Sequence, residues 1–138
     1  MLGAATFTGI SGAATVPANP TSSLVLHWVG NIGVESVRAG ESVFVHAYAQ
    51  VDVVTSGSAA GGFLTPCYRP SPTSPIVRRT LGAAANAYSG PGVSVATSTV
   101  FDFAADETLY FGVCWAADYS PSALRVNSPG GTLLRFRR

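Results

Sequence analysis

The sequence predicts an all-β chain folded as an antiparallel two-sheet β-sandwich, a jelly roll or a related Greek key. Three observations predict it. Val, Thr, Phe and Tyr recur in runs of period two, as side chains must when they alternate faces along a strand. Gly, Pro, Ser and Asn cluster between the runs. No helical pattern persists, and no segment repeats at a fixed period. A chain of 138 residues suits one domain with a proper core.

Taken in order, residues 1–22 are rich in Gly, Ala and Thr and carry Pro17 and Pro20. Within them Ala4–Thr8 is a strand candidate, and the segment reads as an edge strand or as an arm reaching a neighbouring subunit. Residues 23–138 form the expected single sandwich domain. Ser23–Val29 and Val34–Arg38 are short strand candidates. "RAGE" at 38–41 then places Gly40 where a hairpin accepts positive φ. Glu41–Val54 is the cleanest run. Val43, Val45, Ala47, Ala49, Val51 and Val53 make a small apolar face, and Phe44, His46, Tyr48, Gln50 and Asp52 make an aromatic and polar one.

"SGSAAGG" at 56–62 reads as a loop tip, and Gly62–Arg69 as the next strand. "PCYRPSPTSP" at 66–75 carries four prolines, which remove ladder donors, so it reads as an exposed extended loop. Ile76–Leu81 is a strand candidate, and "LGAAANAYSG" at 81–90 has room for one helical turn at most. Val93–Phe103 puts Val93, Val95, Thr97, Thr99, Phe101 and Phe103 on one side. Asp106-Glu107 then reads as a solvated turn. In Leu109–Ala116, Phe111, Val113 and Trp115 share a bulky, core-facing side, opposite Tyr110, Gly112, Cys114 and Ala116. Ala123–Asn127 and Thr132–Arg137 complete the strands, with "NSPGG" at 127–131 as the turn between them.

Two readings of the cysteines stand. If the strands of Cys67 and Cys114 are adjacent, a disulfide closes a long loop. Otherwise both are small thiols in covered positions. No His, carboxylate or further Cys lies within motif range to activate either one.

Catalytic and metal signatures are absent from the sequence. His27 and His46 are the only histidines and have no His or Cys at ligand spacing. There is no Gly-x-Ser-x-Gly elbow and no glycine-rich phosphate loop leading into a helix. The expectation is therefore a non-enzymatic protein with no catalytic residue, metal or cofactor. Charged residues make up 11% of the chain against a usual ~25%, net charge is +1, and all eight basic residues are arginines. Such a chain lacks the basic patch that nucleic acid requires. Arg78-Arg79 and the arginines from Arg135 to Arg138 read as solvated spots. No apolar run reaches the ~20 residues of a membrane helix, so no membrane insertion is expected. Low charge favours association, so a homo-oligomer or another assembly is expected. The stripe Phe44, His46, Tyr48, Gln50 and Asp52 is the candidate binding or interface face, covered by a partner or presented to a glycan.

Two stretches carry a resemblance. "VESVRAGESVFVHAYAQ" at 34–50 and "VFDFAADETLYFGVC" at 100–114 resemble small β-sandwich domains of phage virion and bacterial surface fibre proteins. The resemblance implies a minor tail, fibre or capsid decoration protein that contacts other virion subunits or a host-surface glycan. The first residues lack a basic and a continuous apolar segment and so do not read as a secretory signal. That favours a virion surface protein made in the host cytoplasm. The alternative is a secreted or cell-surface carbohydrate-binding module, hence extracellular.

Overall fold

A computed structural model describes residues 2–9, 13–21, 23–53, 59–79, 82–88, 92–117 and 122–137. Their strands are β1 (Leu2–Gly9), β2 (Ala13–Val16), β3 (Val25–Val37), β4 (Glu41–Val53), β5 (Ala59–Arg69), β6 (Val77–Arg78), β7 (Ala83–Tyr88), β8 (Val93–Asp102), β9 (Glu107–Ala117) and β10 (Leu124–Arg137). All pairings are antiparallel. One five-stranded sheet runs β1-β10-β4-β8, with β2 also on β10; the other runs β3-β9-β5-β6, with β7 also on β5. Treat β1 and β2 as one interrupted strand, and β6 and β7 as another. The first strand then pairs with the last, β3 with β9, β4 with β8, and β5 with the β6–β7 strand. This is one long hairpin rolled over itself, the jelly roll.

Alternation builds the core between the sheets. On β4, Val43, Val45, Ala47 and Val51 are fully buried, with Ala49 and Val53 nearly so. Trp115, Phe111, Leu109 and Val113 of β9 face them with Ile32 and Leu64. Near the Gly40 end, Tyr68 stands edge-on to Phe101 and Phe103, with ring centroids 5.0 and 5.4 Å away. Phe111 completes this four-ring cluster.

Several local expectations are corrected. Gly40 does take positive φ, at 82°. Its turn, however, carries the chain from one sheet to the other, since β3 and β4 are not in the same sheet. The two short strands expected before it are one strand, β3. "GNIG" is absorbed as register shifts between Trp28 and Gly30 and between Asn31 and Gly33. "NSPGG" is likewise no turn: β10 runs through it as a bulge between Asn127 and Gly130, with Ser128 at φ 47°. Residues Ala83–Tyr88 are a strand, not a helical turn.

The proline-rich loop begins later than expected, because Pro66 and Cys67 are buried inside β5. Beside Pro66 the ladder changes partner. The β7 pairing ends at Leu64↔Ala83, and the β6 pairing begins at Cys67↔Arg78. A residue without an N–H fits at that changeover. Of "SGSAAGG", Ala59–Gly62 belong to β5, and residues 56–58 lie outside the described residues, as do Thr80 and Leu81. Nor are all the arginines simply solvated: Arg135 pairs with Glu35 at 3.8 Å and Glu41 at 3.7 Å, and Arg79 with Asp102 at 3.5 Å.

Candidate binding faces

The inward turn of the odd residues of β4 sends Phe44, His46, Tyr48, Gln50 and Asp52 to the outside of their sheet. Register then supplies their neighbours. Phe44 lies between Leu134 of β10 and Val100 of β8, and His46 between Thr132 and Ser98. Tyr48 lies between Gly130 and Ala96, Gln50 between Asn127 and Ser94, and Asp52 opposite Arg125. The stripe thus grades from an apolar row at Phe44 through a polar centre to a charged row at Asp52, and beyond Phe44 the next row, Phe136–Ser42–Asp102, carries the Asp102–Arg79 ion pair. Tyr48 is 40% exposed, with its ring open to solvent on this face. Its two cross-strand neighbours are Gly and Ala, too small to shield it. His46 stands beside it, with ring centroids 6.2 Å apart. Among the described residues, no second layer covers this face.

Two polar details bear on its chemistry. His46 Nδ1 and Ser98 Oγ are hydrogen-bonded at 2.9 Å. The pair sits on open sheet, and among the described residues no carboxylate bonds the imidazole to orient it as a general base. Asp52 Oδ1 is buried without a hydrogen-bond partner, and Arg125 Nε approaches it only to 4.0 Å. Among the described residues, no group of three or more His, Cys, Asp and Glu is placed to hold a metal ion.

The cysteines lie on the outer side of the other sheet. Cys67 is opposite Gly112 and Cys114 is opposite Thr65, so the two cysteines are diagonal neighbours on β5 and β9. Their sulfurs are bonded, with Cα atoms 6.0 Å apart, and both residues are fully buried. Parity puts Cys114 away from the core, as expected, yet that side is covered too. Its other cross-strand partner is Trp28. The Trp28 ring lies over Gly112, where an added Cβ would stand 2.6 Å from Gly30 O and 2.6 Å from Trp28 Cε2. The Arg69 guanidinium stacks on the same ring, 4.0 Å from its centroid.

Trp28, Arg69 and Gly112 form a built feature that the sequence did not disclose. The available signal was parity, which puts Arg69 on the same side as Cys67, and Gly112 on the same side as Cys114. Gly112→Ala is expected to cost about 1–3 kcal/mol, because a backbone oxygen must give way. Chemical denaturation would measure that loss, and a red-shifted tryptophan emission would show that Trp28 has lifted. An unchanged midpoint and spectrum would refute the packing.

Fold and faces together define a jelly-roll β-sandwich with one open aromatic and polar sheet face. No family model and no curated protein matches the sequence. Solved structures share the fold. The infectious bursal disease virus VP2 subviral particle superposes with a TM-score of 0.56 at 8% identity, over 99% of this chain and 32% of that one. The Gt strain of the same virus gives 0.50 at 10% identity, over 100% of this chain and 37% of that one. A xylan-binding domain from Paenibacillus barcinonensis Xyn10C gives 0.41 at 13% identity, over 96% of this chain and 87% of that one. The chain spans about a third of the length of the virus chains it matches. At these identities the likeness is one of fold.

Proposed function

We propose that this protein is a non-enzymatic structural subunit of a virus particle, and more narrowly a surface protein of a bacteriophage virion: a minor tail, fibre or capsid decoration protein. The observation that carries the reading is the outer face of β4, β8 and β10, which no second layer covers among the described residues and which holds a half-buried apolar row, Phe44, Leu134 and Val100, beside the exposed Tyr48. A chain with only 11% charged residues gains by covering such a face with a neighbouring copy or another subunit. Supporting it are the jelly-roll order of the strands, a fold used by virus capsid proteins, and the resemblance of residues 34–50 and 100–114 to phage virion sandwiches.

Sedimentation over a wide concentration range tests the proposal. The full chain is expected to self-associate, and Leu134→Glu to weaken that association at least about tenfold, since a charge is then desolvated at the contact. A clean monomer at high concentration would overturn self-association through this face. The exposed ring of Tyr48 favours a second reading, a carbohydrate-binding module. That reading expects binding on a glycan array that is lost in Tyr48→Ala with the association state unchanged.

A further inference from the structure

The outer side of β3, β5 and β9 carries a second built arrangement of side chains, apart from the β4 face. Three cross-strand rows compose it: Val34–Tyr110–Arg69, Asn31–Gly112–Cys67 and Trp28–Cys114–Thr65. The bare Cα of Gly112 lets Trp28 lie down, and Trp28 Nε1 donates to Asn31 Oδ1 at 2.9 Å, which fixes the ring. Arg69 is laid on that fixed ring. Its Nε is buried without a hydrogen-bond partner, and among the described residues no carboxylate pairs with its guanidinium. Next to it opens a cavity of about 440 Å³, bounded by Val34, Pro72, Tyr110, Phe111, Asn31 and Arg69. That volume is in the range of small-molecule sites. A pre-positioned, uncompensated cation at an apolar wall is the arrangement that gains most from a carboxylate, which guanidinium can engage by two parallel hydrogen bonds.

We propose that this cavity binds an acidic saccharide, a pyranose bearing a carboxylate. Each part of such a ring has a counterpart. The carboxylate meets Arg69, the apolar C–H face meets the Tyr110 ring and Pro72, and ring hydroxyls meet the Asn31 amide and the Tyr110 hydroxyl. A neutral sugar leaves the Arg69 charge uncompensated, and an acidic peptide offers no flat C–H face to the aromatic wall.

Calorimetric titration of the full chain with trigalacturonate, its methyl ester and the acidic peptide acetyl-Glu-Glu-Glu separates these ligands. The acid is expected to bind at least tenfold tighter than the ester, which keeps the rings and loses the charge. It is also expected to bind at least tenfold tighter than the peptide. Arg69→Gln should erase the preference for acid over ester, and Tyr110→Ala should weaken acid and ester alike. Equal binding of acid and ester, equal binding of acid and peptide, or no heat from the acid up to about 10 mM would each overturn the proposal. The comparison on the unaltered chain decides the matter even if a variant fails to fold. Because it reads ligand rather than association state, its failure leaves the assembly proposal standing.

Discussion

Removing the Cys67–Cys114 bond, by Cys67→Ala with Cys114→Ala or by reduction, is expected to cost about 4 kcal/mol. The two cysteines are 47 residues apart in sequence, and closing a loop of that length in the unfolded chain accounts for this amount in the chain-entropy model. For a chain of this size the loss lowers the thermal midpoint by roughly 10–15 °C. The bond joins β5 to β9 in the middle of their sheet, with Trp28 as the cross-strand neighbour of Cys114. Its removal therefore loosens the outer cavity as well as the fold. Both cysteines are fully buried, so a reductant gains access mainly through opening of the structure, and reduction should be slow at room temperature and fast near the midpoint. Melting curves with and without reductant, together with a mass gain of two hydrogens on reduction, test this. A midpoint indifferent to reductant would refute it.

The long alternating run at 41–54 was legible because one strand buries one face and nothing else acts on it. All six odd positions from Val43 to Val53 are buried in the core. The same logic sorted β9 into a bulky side and a small side. Parity failed where bulges intervene. "GNIG" and "NSPGG" hold the residues of turns, but a bulge draws on the same chemistry, and only pairing with β9 and with β4 decides between the two. Pro66 falls in the overlap of two readings, the strand Gly62–Arg69 and the loop 66–75, and the strand prevails: a missing donor disqualifies a residue only if a partner needs that donor, and here the partner strand changes at that point. The Trp28–Gly112–Arg69 stack depends on register across three strands and past two bulges, information that no single run contains. The even residues of β4 share the outer side of their sheet, as alternation requires. The exposure of Tyr48, though, comes from Gly130 and Ala96, which are distant from it in sequence.

Phe111→Ala is expected to be as costly as losing the disulfide, about 3–5 kcal/mol. Phe111 is fully buried and stands 5.8 Å from Tyr68, 6.2 Å from Phe101 and 6.2 Å from Phe103, centroid to centroid. These rings come from three strands and the Phe103 turn, each held by its own ladder. That turn is itself pinned by Gly40 N–H donating to Phe103 O at 2.9 Å and Phe103 N–H donating to Glu41 O at 3.0 Å. With the backbone fixed on every side, the walls cannot collapse into the space a lost ring leaves, so the cavity penalty adds to the lost transfer energy. Burial, with the Glu107 carboxylate adding to it, pushes the Tyr68 phenol above its ordinary pKa. Opening the cavity next to Tyr68 should bring that titration back toward the ordinary value, and near-ultraviolet dichroism should lose aromatic intensity. Phe111→Leu, which keeps most of the volume, should cost less than half as much. Equal losses for Leu and Ala would mean that ring geometry rather than volume sets the stability here. A loss below about 1 kcal/mol for Ala would mean that the sheets can close on the gap, against the rigid two-sheet packing described above.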